Sequence, residues 1–189
     1  MYRVRTILLV AAMSLVAVLA VPPSPAHAEE TTCRGTIGYR TVDNLRVPRG
    51  ATCTLNRTRV EGTIKVERNA TLYAYRVRVK GNVQAEEAAR VRVLFGSRVN
   101  GSIQLDNGGN GQVRHSNVGG SIQLKANDGS LVVAYTDVGA DVQAFSNSGG
   151  VRIVSNVIDG NLQCKSNVPR PTGGDNVVHG NKEDQCRNL

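Results

Sequence analysis

The chain has 189 residues, a formal net charge of +8, no tryptophan and only 4% aromatic residues. That length supports one ordinary domain. So few large rings exclude a wide, aromatic-packed core. They also argue against a binder of single-stranded nucleic acid, which needs bases stacked on side chains. Beyond residue 28 the rings are Tyr39, Tyr73, Tyr75, Phe95, Tyr135 and Phe145.

Residues 1–28 read as a secretory signal peptide. Arg3 and Arg5 give a positive start, Ile7 to Val21 is an apolar run broken only by Ser14, and Ala26-His27-Ala28 is an A-x-A cleavage site. The run is short for a membrane-spanning helix, which takes about 20 residues. Cleavage after Ala28 predicts a secreted, extracellular protein with no membrane insertion. Its charge is uneven. Residues 29–100 hold 14 Lys and Arg against 7 Asp and Glu, whereas residues 101–189 hold 7 against 8. The basic half is the N-terminal half.

Past residue 59 a short phrase keeps returning. It reads Val60-Glu-Gly62-Thr-Ile64, then Val79-Lys-Gly81-Asn-Val83 and Val99-Asn-Gly101-Ser-Ile103. It goes on through Gly120, Ala140 and Gly160, and fades at Gly180. Steps of 19 or 20 residues mark a stack of similar units. Within each unit apolar and polar residues alternate, as in Ile103-Gln-Leu105 and Ile122-Gln-Leu124, the period of a strand with one buried face. A second apolar stretch follows, such as Val91-Arg-Val93 or Val151-Arg-Ile153, and Gly/Asn turns such as Asn127-Asp-Gly129 punctuate each unit.

These features predict an all-β protein: a single parallel β-helix of about six to seven coils, right-handed by the usual sense of parallel crossovers. One coil cannot stand alone. About six inward side chains contribute about 2 kcal/mol each, whereas fixing about 20 residues costs 1–2 kcal/mol of backbone entropy apiece. Stacking supplies the difference, because each coil satisfies its neighbour's strand hydrogen bonds. The expected layout is an N-terminal cap and first coil over 29–59, the repeat array over 60–167 and a C-terminal capping tail over 168–189.

Equivalent positions of successive coils should form columns. Gln84, Gln104, Gln123, Gln143 and Gln163 make one outward column, headed by Lys65. Asn107, Asn127, Asn147 and Asn167 are spaced by 20 and make another at a turn. Stacked amides hydrogen-bond along the axis, so both columns read as structural ladders; a flat amide surface binding sugars or a crystal lattice is the alternative. Arg59, Arg78 and Arg98, each three residues before a repeat glycine, make a third column, widened by Arg57 and Arg76. Arginines about 5 Å apart in water repel by only about 0.8 kcal/mol, so a plain solvated face is one reading. The other is a docking stripe for an anionic glycan rich in phosphate or uronic acid, since the guanidinium fork suits both groups.

Four cysteines remain in a secreted chain, which suggests disulfides. Cys33 and Cys53 are 20 residues apart, and Cys164 and Cys186 are 22 apart. Each separation is about one coil, and each pair lies at one end of the array, so this pairing is favoured among the three possible. Blocked ends would hide the bare sheet edges that invite polymerisation, and a monomer is expected. Zinc is disfavoured because no two cysteines lie close in sequence. No cofactor, metal or catalytic residue is expected. There is no nucleophile elbow, H-E-x-x-H or phosphate loop, and the one acidic group in view is Asp137, Asp141 and Asp159.

The tail Gly160-Asn-Leu-Gln-Cys164 … Gly180-Asn-Lys-Glu-Asp-Gln-Cys186 resembles that of small secreted bacterial proteins of uncharacterised function. The resemblance covers residues 60–186, implies a β-helical fold and names no chemistry. In architecture the array is also similar to bactofilin-type and pectate-lyase-type β-helices, and fold is not function. The sequence therefore supports a secreted non-catalytic β-helix that binds an anionic cell-envelope or extracellular glycan, or serves as a structural surface protein. A carbohydrate-active enzyme, either a polysaccharide lyase or a glycosidase, is the alternative.

Overall fold

The computed structural model describes residues 29–189; the signal-peptide segment lies outside the described residues. Among the described residues all regular structure is strand, and every strand pairing is parallel. Each coil contributes one strand to each of three sheets, of nine, eight and eight strands. The result is a parallel β-helix of about seven turns. The first sheet holds segments such as Ile103–Asp106 and Ile122–Lys125. The second holds Arg90–Leu94 and Asn110–Arg114. The third is built from two-residue strands such as Arg78–Val79 and Arg98–Val99.

Ile103 and Ile122 are direct partners on adjacent strands, as the repeat requires. Ile64, Val83, Ile103, Ile122, Val142 and Leu162 stack along the axis without measurable exposure. The β-branched alternation seen in the sequence is thus the inner wall of the tube. The returning glycine marks the corner from the third sheet to the first. There each coil lies so close to the one below that a Cβ on Gly101 would stand 2.7 Å from the Gly81 carbonyl oxygen.

The other two corners share a different device. Each turns on a residue in the left-handed region followed by a residue pointing inward, except that at Phe95 a second left-handed residue, Gly96, precedes the inward Ser97. From the first sheet to the second the turning residues are Glu87, Asn107, Ala126, Ser146 and Ser166, with φ between 53° and 58°. From the second to the third they are Arg57, Arg76, Phe95, His115, Tyr135, Ser155 and Asp175, with φ between 48° and 56°. Where the inward residue is polar, it satisfies backbone groups that the bend removes from the ladder. Asn127 Nδ2 donates to the Leu105 carbonyl and to Asn147 Oδ1, and Asn147 repeats the pattern toward Leu124 and Asn167.

This geometry moves one member of the expected asparagine column. Asn127, Asn147 and Asn167 are buried and bonded to one another, but Asn107 is exposed and turns the corner itself. The coil from Gly101 to Gly120 has 19 residues, so a constant step of 20 slips by one position there. Gly108 is the residue in line, and its N–H donates to Asn127 Oδ1. The glutamine column is continuous: the Nε2 groups of Gln84, Gln104, Gln123 and Gln143 each donate to the Oε1 of the next glutamine, at 2.9–3.3 Å. Gln163 closes it on Glu183, and Lys65 pairs with Gln84 at its foot.

Both ends of the array are themselves wound. Glu30–Thr32 pairs with Asn44–Val47 in the first sheet, so residues 29–59 supply strands as well as a cap. The charged tail is wound in the same way at the other end. Lys182–Asp184 adds in register onto Leu162–Lys165, and only then does the chain turn inward. Gln185 ends the asparagine ladder by accepting from the Asn167 N–H and Nδ2, while Leu189 packs on the core. Cys33 and Cys53 are at disulfide distance, with Cα atoms 5.5 Å apart, and so are Cys164 and Cys186 at 5.3 Å. All four are buried.

Candidate functional site

The corner between the second and third sheets gathers the basic residues. Arg59 pairs with Arg78, and Arg78 with Arg98, on successive strands of the third sheet, all three side chains outward. Just before them in each coil, Arg57 and Arg76 occupy the left-handed turning position. The column of arginines ends where the sequence changes: Asn117, Asp137 and Val157 continue the third-sheet line, while Phe95, His115 and Tyr135 continue the corner.

Between the two lines runs a groove of about 540 Å³. Arg57, Arg59, Arg76 and Arg78 line it, joined by Arg40. Tyr39 and Phe95 stand at its margins, 90% and 54% exposed. Among the described residues no carboxylate lines it. Two acids lie two positions from its lining in sequence: Asp43 is exposed, and Glu61 is already engaged, taking Lys80 and accepting from Arg59 Nε at 2.6 Å. The Lys80 ammonium above all, with Arg59, holds the Glu61 carboxyl below its ordinary range. Among the described residues Arg40, Arg57, Arg76, Arg78 and Arg98 form no salt bridge. Arg98 belongs to the stripe but does not line the groove.

The sequence did not reveal Arg40, Tyr39 or the aromatic continuation. The signal for the last was positional. Residues 57, 76, 95, 115 and 135 keep the 19–20 residue step but share no chemistry, so no column shows in the letters. The rings nevertheless stack from coil to coil. Phe95 lies 6.2 Å from Tyr75 and 6.4 Å from His115, and His115 lies 4.8 Å from Tyr135, all with planes within 14°. On the neighbouring second-sheet face Arg92 sits 5.7 Å from the Tyr73 ring, a cation–π contact.

A second groove, of about 690 Å³, crosses the outer face of the first sheet. Its charges are largely compensated within the protein: Arg46 pairs with Glu67, and Arg68 with Glu87. Glu86 and Asp106 lie in it as partners on adjacent strands. Burial, helped by Glu86 and opposed by Lys125, raises the Asp106 carboxyl above its ordinary range. The acidic trio expected from the sequence does not converge on one function. Asp141 accepts the Asn161 N–H, Asp159 pairs with His179 at 3.0 Å, and Asp137 points outward on the third sheet. Among the described residues no three His, Cys, Asp or Glu side chains are placed to hold a metal.

No protein-family model matches the chain, and neither a curated protein nor a solved structure is found similar to it.

Proposed function

We infer that the protein is a secreted, non-catalytic β-helix that binds an anionic glycan of the cell envelope or extracellular space. The observation that carries this reading is the corner groove with five arginines and no carboxylate. Stacking like charges one coil apart brings no stability of its own. A carboxylate or phosphate laid between them removes the repulsion and accepts paired guanidinium hydrogen bonds. The signal-peptide pattern of residues 1–28 and the two cysteine pairs suit an oxidising, extracellular setting. The tail resemblance to small secreted bacterial β-helix proteins agrees with this setting.

Calorimetric titration with polygalacturonate tests the reading. Replacing Arg57, Arg76 and Arg78 together by Gln should weaken binding at least tenfold while leaving the melting temperature unchanged. Undiminished affinity in that variant would overturn it.

A carbohydrate-active enzyme is the second reading, favoured by one observation: Glu86 and Asp106 are carboxylates on adjacent strands, and Asp106 is pushed toward its protonated form. Carboxylates on paired strands, which lie about 5 Å apart, are spaced as glycoside hydrolysis with retention requires. Release of reducing ends that disappears in Glu86→Gln would favour this reading over simple binding.

A further inference from the structure

We propose that the arginine groove recognises sugar rings as well as charge, so that its ligand is a polyuronate rather than a polyphosphate. The inference rests on the anionic-glycan reading above and adds the role of Tyr39 and Phe95.

The two rings frame the groove. Thr41 pairs with Arg59, Arg59 with Arg78 and Arg78 with Arg98, so the coils of Tyr39 and Phe95 are three strands apart. That separation is roughly 14 Å along the axis at the spacing of paired strands. Arg57, Arg59, Arg76 and Arg78 fill the interval. A short run of pyranoses spans such a distance, with a ring face at each end and its carboxylates between.

Phe95 has ring surface to offer. Its neighbours in the stack, Tyr75 and His115, are 6.2 and 6.4 Å away by centroid and nearly parallel to it. Parallel rings at that separation overlap only at their margins, and half of Phe95 remains exposed. The fold does not demand an aromatic here. Phe95 holds φ at 55°, a conformation that disfavours a bulky L-residue and that Asn accepts readily. The corner between the first and second sheets also turns on a left-handed residue, Asn107, Ala126, Ser146 or Ser166, although at Phe95 the chain carries one residue more, Gly96 with φ 75°. Among these corner residues large rings occur only on the second line, and Phe95 is the one that lines the arginine groove. A pyranose presents one apolar C–H face and, when oxidised at C6, a carboxylate at its edge. The groove offers complements to both features in one place. Polyphosphate has no apolar face and would use the arginines alone.

The test compares two probes, polygalacturonate and long-chain inorganic polyphosphate, against the wild type, Phe95→Asn, Tyr39→Ser and the Arg57, Arg76 and Arg78 to Gln triple variant. Asn suits the left-handed corner, so Phe95→Asn should melt at or above the wild-type temperature. The proposal expects Phe95→Asn and Tyr39→Ser each to weaken polygalacturonate binding at least fivefold, with polyphosphate binding unchanged and Phe95→Trp retaining the sugar affinity. Equal polygalacturonate affinity in wild type and both ring variants would overturn the ring-recognition inference alone, leaving the charge reading in place if the arginine variant loses both probes. A wild type that binds polyphosphate but not polygalacturonate would overturn it too. Binding of neither probe would overturn the inference and the charge reading together.

Discussion

The side-chain oxygen of Asn147 accepts two hydrogen bonds from Asn127, one from its backbone N–H and one from Nδ2, each 3.0 Å long. Both residues are buried, and the Nδ2 of Asn147 reaches down to the Leu124 carbonyl. The corner therefore depends on a chain of amides in which each member completes the coil beneath it. Asn147→Leu strands the Asn127 N–H, takes one of the two acceptors from Asn127 Nδ2 and removes the amide donor to the Leu124 carbonyl. Buried unsatisfied groups cost about 1–3 kcal/mol each, so we expect a loss of roughly 3 kcal/mol in the urea unfolding midpoint analysis. Asn107→Gly lies outside the ladder at a left-handed position and should change stability by less than about 0.5 kcal/mol. Equal losses in the two variants would restore Asn107 to the column.

The paired cysteines act at the two ends of a structure whose units contact only their neighbours. Each closes a loop of about 20 residues, worth roughly 3 kcal/mol by chain entropy. Reduction should loosen the ends before the middle. Hydrogen exchange after dithiothreitol treatment should accelerate first in Glu30–Thr32 and Lys182–Asp184, while Ile103–Asp106 and Ile122–Lys125 keep their protection. Uniform acceleration along the rod would contradict this order.

Asp106 gives the pH dependence a definite sign. Burial raises its carboxyl in the folded chain, so the folded state holds this proton more tightly than the unfolded state does. Its contribution is unfavourable at neutral pH and is relieved as pH falls through its raised value. Asp106→Asn should therefore melt slightly higher than the wild type at pH 7, and the difference should vanish in acid. Glu61 and Glu87 run the other way. Lys80 and Arg68, respectively, hold them below the ordinary range, so their contribution is present at neutral pH and lost as pH falls through those lowered values. A melting-temperature series from pH 7 to pH 3 on wild type and Asp106→Asn separates the two effects.

Much of this architecture is written in the letters because stacking demands it. Ile103 must sit on Ile122, so the same residue class returns every 19 or 20 positions and the coil is legible. Gln84, Gln104 and Gln123 are legible for the same reason, since the ladder needs like on like. The inward column at the second corner was not, because Thr58, Ser97, Ser116, Thr136 and Asn156 supply a buried hydrogen-bonding group with three residue types, and Val77 interrupts them with none. Phe95, His115 and Tyr135 were less visible still. Their shared property is backbone φ, which the alphabet does not encode outside glycine. The arginine lines at 57–76 and 59–78–98 could be read, but Tyr39 and Arg40 join them from the irregular first coil, where no repeat phrase guides the eye.

The salt dependence of polygalacturonate binding bears most directly on the proposed role of the corner groove. Five arginines facing one polyanion displace condensed counterions, so affinity should fall steeply as sodium chloride rises from 50 to 200 mM. The Arg57, Arg76 and Arg78 to Gln variant should bind weakly and with a clearly shallower slope. A wild-type affinity indifferent to salt, or a variant with the wild-type slope, would contradict the account.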